Sequence, residues 1–218
     1  MNNTIRIALL AAMALTVNAT YAQNKVATAK KHIEHAKPWE VIYEKDVTSK
    51  KRNWSEIDGK LAGNKLFDYS RKSTRDLNLI DVLMNGIDNG SIKVYADERL
   101  SKELSKDELH SMLPKDYSPA RVSKYNLKED KLTATTFTGM TERIVGLGPV
   151  MEGNTEPLFW VFYPDVRKVL AQANVNCDDY DTVITWDDVM ENRLFTEHVT
   201  RVSQPNTAPS KDAINKTK

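Results

Sequence analysis

His32 and His35 stand three residues apart in the run HIEH, a spacing at which two imidazoles can share a metal ion. No cysteine or third histidine follows at ligand spacing, so two solvated side chains are the better reading. Asp178, Asp179 and Asp181, with Asp187 and Asp188 beyond, offer hard oxygen ligands of the kind Ca²⁺ takes. An EF-hand loop needs acids at alternate positions, a central glycine and a closing glutamate; here Tyr180 interrupts and no glycine follows. An acidic loop running into a helix N-terminus, where the dipole favours negative charge, accounts for the cluster more simply. Cys177 is the only cysteine and cannot form a disulfide within the chain. Its neighbours Asp178 and Asp179 oppose thiolate formation, the reverse of what a nucleophile requires. Gly146 and Gly148 lie in GLGP, where a proline replaces the further glycines and helix of a phosphate loop, so the stretch reads as a turn that ends a strand.

Lys50, Lys51 and Arg52 read as a solvated basic loop, with a docking site for an acidic partner as the lesser alternative. Trp160 and Trp186 can line a pocket, but at their spacings they are more often core. His110 and His198 have no evident partners. The chain contains no G-x-S-x-G, HExxH, P-loop or CxxC motif. Accordingly no catalytic, cofactor-binding or metal-binding residue is assigned, and no enzyme activity is expected.

The elements that would position these residues are clearest between Pro157 and Val199. Leu158 to Tyr163 is an apolar, β-favouring run. Pro164 suits the first helical position, and Val166, Val169, Leu170 and Ala173 then recur on one helical face. Thr185 predicts a capped helix with Asp188 three residues on, its apolar face being Trp186, Val189, Met190 and Leu194. Upstream, Trp39 to Tyr43 alternates as a strand. Asp76 is a candidate cap for a helix carrying Ile80, Leu83, Met84 and Ile87, closed by Gly90. Ile92 to Ala96 alternates as a half-buried strand. Ser105 and Glu108 form a full capping box for a helix whose face is Leu109, Met112 and Leu113. Thr133 to Thr138 and Glu142 to Leu147 read as strands. Capped helix, acidic connection and second capped helix occur at 76–113 and again at 164–195, the outline of a weak internal duplication. The expected fold is α+β, with mixed small sheets and packed amphipathic helices.

The 218 residues carry 31 Lys and Arg against 30 Asp and Glu, so no global field draws the chain to nucleic acid or an anionic membrane. Residues 1–22 read as a secretory signal peptide. Arg6 precedes the apolar run Ile7 to Val17, too short to span a bilayer, and Thr20 and Ala22 supply small residues for cleavage between Ala22 and Gln23. No cysteine lies there to be lipidated. Cleavage removes Arg6 and no acid, leaving a formal charge of zero. Residues 23–38 read as a flexible leader, 39–202 as the globular region with a candidate subdomain boundary near 114–125, and 203–218 as a disordered tail.

Several segments together resemble the GldN/PorN family of Bacteroidetes, components of gliding motility and the type IX secretion system. The strongest are 158–175, LFWVFYPDVRKVLAQANV, and 185–199, TWDDVMENRLFTEHV, whose Arg193 and Phe195 match an Arg–x–Phe end. RIVGLGPV at 143–150 matches through Arg143, Ile144, Gly146 and Pro149. The segment 53–67 matches through Trp54, Ile57, Asp58, Lys60 and Asn64, and 79–95 fits the helix and glycine turn that follow. Ser55 stands where the pattern has arginine, Gly59 breaks its continuation, and the chain ends early for the family. The resemblance implies a periplasmic, non-enzymatic part of a large ring-like assembly. Its implied partners are an outer-membrane lipoprotein (GldK/PorK-like), which would hold this subunit at the membrane without a span of its own, and the periplasmic domain of an inner-membrane motor protein (GldM/PorM-like). A periplasmic hydrolase assembled from distant residues, and a monomeric ligand-binding protein using Trp160 and Trp186, are the alternatives.

Overall fold

The computed structural model describes residues 30–71, 77–175, 180–204 and 206–207. The expected cleavage site at Ala22 and Gln23, together with Asp76, Cys177, Asp178, Asp179 and residues 208–218, lies outside them.

A mixed α+β fold is built on one antiparallel sheet. Its strands are β1 (Val47–Asp58), β2 (Val94–Tyr95), β3 (Glu103–Leu104), β4 (Val122–Ala134), β5 (Thr141–Met151), β6 (Trp160–Phe162), β9 (His198–Val202) and β10 (Asn206–Thr207). The order is β10-β1-β4-β5-β6-β2-β3, with β9 also paired to β1. A separate two-stranded ladder joins β7 (Asn174–Val175) to β8 (Ile184–Thr185). Among the described residues four α-helices accompany the strands: α1 (Leu79–Asp88), α2 (Lys106–Met112), α3 (Tyr163–Leu170) and α4 (Trp186–Glu191). Helix, two-residue hairpin and box-capped helix thus occur twice, as α1-β2-β3-α2 and α3-β7-β8-α4.

Pleating divides the sheet into two unlike faces. Ser55, Ile57, Tyr125, Leu127 and Leu147 share one face through the pairs Ser55↔Leu127, Ile57↔Tyr125 and Leu127↔Leu147. That face belongs to the core with Leu83 of α1, Val166 of α3 and Val189 of α4. Phe67, on a 3₁₀ turn after β1, centres an aromatic cluster: its ring lies 5.6 Å from Tyr125, 5.3 Å from Trp186 and 5.8 Å from Phe195. The opposite face carries Arg52, Trp54, Glu56, Lys124, Lys128 and Asp130, matched as cross-strand pairs such as Arg52↔Asp130 and Trp54↔Lys128.

Local signals hold well where they are self-contained. Ser105–Glu108 and Thr185–Asp188 both form reciprocal capping boxes. Gly90 closes α1 with φ +78°. Other expectations are corrected. α1 is capped by Asn78 with Asp81 in a box, in place of Asp76. Trp39 to Tyr43 is not a strand, because Trp39 packs beside Tyr163 while Val41 and Tyr43 face solvent with no strand beside them. Lys50, Lys51 and Arg52 lie within β1, where Lys50 and Arg52 both pair with Asp130. β4 starts at Val122 and ends at Ala134, which leaves Phe137 in the turn. In α2 only Leu109 is fully buried; Met112 is exposed.

Gly146, Gly148 and Pro149 do not end a strand; β5 runs through them to Met151. A Cβ on Gly148 would stand 2.8 Å from Pro157, so the close approach of the next loop requires glycine there. In a strand a residue's N–H and C=O point the same way, and the carbonyl of Pro149 accepts from Leu158. The missing proline N–H therefore faces away from β4, and that ladder survives.

Candidate interaction surface

Several residues singled out by resemblance, Trp54, Asn64, Arg143 and Arg193 among them, are held in three polar assemblies, each joining elements distant in sequence. The first is the seat of the N-terminal segment. Residues 30–40, read in part as a flexible leader, lie against α3 and α4. Lys31 pairs with Tyr180 in a parallel bridge, and its carbonyl accepts from Asp181 N–H. His32 Nδ1 lies 3.2 Å from Asp181, and His35 Nδ1 lies 2.9 Å from Asp188. The two histidines therefore meet different carboxylates. Asp188 Oδ1 also accepts Ala36 N–H at 2.6 Å, and Oδ2 accepts Thr185 N–H and Oγ1–H at 2.9 Å each. One carboxylate thus caps α4 and anchors the leader together.

Burial acts to raise the Asp188 carboxyl, but the hydrogen bonds from Ala36, His35 and Thr185 outweigh it and hold it below the usual carboxylate range. Asp187 and Asp188 lie in the first turn of α4, as expected of an acidic run entering a helix N-terminus, and both are buried there. The Arg167 guanidinium forks onto Asp187 with bonds of 2.9 and 3.0 Å and donates to Lys37 O. Burial acts to lower Arg167, but the Asp187 hydrogen bond together with the nearby charges of Glu191 and Asp187 outweighs it and raises the guanidinium above its ordinary value. The Trp39 ring lies 5.1 Å from the Arg167 guanidinium and 5.0 Å from that of Arg143, while its indole N–H donates to Glu191 at 2.5 Å.

The second assembly surrounds Glu129, a β4 residue on the core face. Arg193, in the left-handed region at φ +52°, pairs with Glu129 and lies 3.6 Å from Glu197. Burial pushes the Glu129 carboxyl up despite the pull of Arg193. Phe195 joins the aromatic cluster on Phe67, which explains the Arg–x–Phe spacing physically. Ser55 donates to Glu197 at 2.7 Å. Asn64, fully buried, donates to Asp58 O and Thr196 O and accepts Thr196 N–H, so it ties the turn after β1 to the approach to β9.

The third assembly is a groove of about 750 Å³ on the face of the sheet away from the core, with Trp54, Glu98, Asn126, Glu156, Trp160 and Arg201 along it. The loop between β2 and β3 reaches over this face. Glu98 takes two bonds from Arg201 at 2.7 and 2.8 Å, and its carbonyl accepts Lys128 Nζ at 2.6 Å. Arg201 also lies 3.6 Å from the centre of the Trp54 ring. Trp160 lines the groove but is mostly buried, and Trp186 is 1 % exposed in the core with its N–H on Leu77 O. The two tryptophans therefore do not line one pocket. His110 pairs with Asp88, and His198 lies exposed on β9. Sequence reading missed Glu129 and the leader's seat, and it marked Asn64 by resemblance without its partner Thr196, because each depends on a partner 64 or more residues away in sequence or on burial that a charged segment does not advertise. Only the acids of the capping box gave a local sign of the seat.

Among the described residues no helix is long and apolar enough to cross a membrane. Comparison with known families matches residues 42–218 to the family described as "Gliding motility associated protein GldN". Comparison with curated proteins gives no match.

Proposed function

From the premise that this chain belongs to the GldN family, whose members are structural components of gliding motility and type IX secretion, we propose that it is a periplasmic scaffold subunit. In this reading residues 1–22 export it and are removed after Ala22. The mature chain packs into a ring-like assembly below the outer membrane, is held there by a lipoprotein partner, and receives force from the periplasmic domain of the inner-membrane motor.

One observation carries the reading. Arg143, Arg167, Arg193 and Asn64 are engaged in joining the leader, α3, α4, β4 and the turn after β1, not in surrounding a reaction centre. Polar contacts of this kind, between elements distant in sequence, favour one arrangement of those elements over others. A rigid block with fixed outer surfaces is what a force-bearing subunit needs, since a soft one would dissipate displacement within itself.

The test is deletion of the gene followed by quantification of secreted proteins and of gliding. The proposal expects both to collapse and to recover on complementation. Undiminished secretion would refute it.

A further inference from the structure

The leader and its seat are complementary in a way that bears on assembly. Residues 30–39, KKHIEHAKPW, carry three lysines, two histidines and one acid. The segment 180–192 beneath them carries Asp181, Asp187, Asp188 and Glu191 and no lysine or arginine. The described contacts that hold the leader reach Arg143 or residues beyond it: Asp181, Asp188, Asn192, Glu191 and Arg167. Between the leader and the 3₁₀ turn Glu44–Asp46 that precedes β1, the chain is exposed at Val41 and Tyr43. Val41 is 75 % and Tyr43 61 % exposed, and neither belongs to a helix or strand. The leader is thus a charged arm on a short exposed hinge, seated on a surface whose 180–192 segment carries the opposite charge and which every copy of the chain possesses.

We propose that the leader is exchanged between neighbouring copies: residues 30–40 of one subunit occupy the α3–α4 seat of the next. The contacts are the same within one chain and between two, so only the hinge and the local concentration of seats decide which forms. A hinge of residues 41–43 spans about 10 Å when extended, so the accepting seat must belong to a copy in direct contact. Head-to-tail exchange leaves each subunit with one arm given and one seat filled, and it closes when the subunits form a ring. The inference rests on the reading of the chain as a self-assembling subunit.

The experiment places a photo-cross-linking amino acid at Glu34, whose side chain is 76 % exposed and whose carbonyl lies 3.2 Å from Asn192 Nδ2. Mature full-length chain is made with and without heavy isotope, mixed before assembly, assembled with its lipoprotein partner and irradiated. Exchange predicts cross-links from the leader peptide to the 180–192 peptide that join one heavy and one light chain. Because Glu34 is exposed, the variant should melt with the parent. Same-label cross-links alone, in an assembly that has formed, overturn the exchange and leave the scaffold reading intact. A chain that forms no assembly overturns both.

Discussion

Replacing Asp188 with asparagine tests the double role of that carboxylate. In the folded chain its two oxygens receive four donors: Ala36 N–H, Thr185 N–H, Thr185 Oγ1–H and His35 Nδ1. The side chain is 2 % exposed, so water cannot replace what is lost. An asparagine side chain at this position would offer one acceptor oxygen and turn an NH₂ group toward donors. Losing the charged hydrogen bonds to the leader should cost about 1.5–3 kcal/mol, and weakening the cap of α4 about 1 kcal/mol. In a chain lacking residues 23–38 only the capping part remains, so Asp188→Asn should cost about 1 kcal/mol there. Urea denaturation of the mature protein, in both backgrounds with and without the substitution, measures the difference as a coupling energy. Asp188 has a depressed pKa in the folded state. Its stabilisation is therefore fully present above the unfolded carboxylate value, about 3.9, and is lost as pH falls through the lower folded value. Parent and variant should converge in acid. An equal cost in both backgrounds would refute the claim that this carboxylate anchors the leader.

Trp160→Ala should destabilise by about 3–5 kcal/mol, since the ring is mostly buried over Gly146; melting with the parent would show that the groove wall is not part of the packed structure. Arg167→Met should cost about 3–5 kcal/mol by leaving Asp187 buried without its cation, and Arg167→Lys should recover only part because an ammonium cannot fork. Thermal or urea melts of both variants check the order. Gly148→Ala should cost about 1–3 kcal/mol, because the added carbon meets Pro157 and the Phe159 carbonyl; an unchanged midpoint would mean the loop yields freely.

What could be read from the sequence was what is local. The two capping boxes at Ser105 and Thr185, the apolar stripe of α1 and the C-terminal glycine of that helix each lie within a few residues, and the structure contains them. β4 escaped because its sequence, VSKYNLKEDKLTA, hides a strand under charge. Lys128, Glu129 and Asp130 are all buried, one because Glu98 reaches over it, one against Arg193 and one against Arg52 and Lys50. Burial would raise Asp130, yet the bonds from Arg52 and Lys50 hold it below the usual carboxylate range. None of those partners is near in sequence. The alternation at Trp39 to Tyr43 misled for the opposite reason: one aromatic packs and the next apolar side chains do not, so period without a partner strand carries no ladder. The leader's seat was half legible. Its acids and the leader's bases were visible, but their meeting across more than 140 residues was not.

The most direct measurement is reconstitution of the purified mature chain with the lipoprotein of the same secretion system, followed by mass determination in solution. The account predicts co-elution in a large complex that contains many copies of both. Separate elution as single chains, at concentrations where both remain folded, would contradict it.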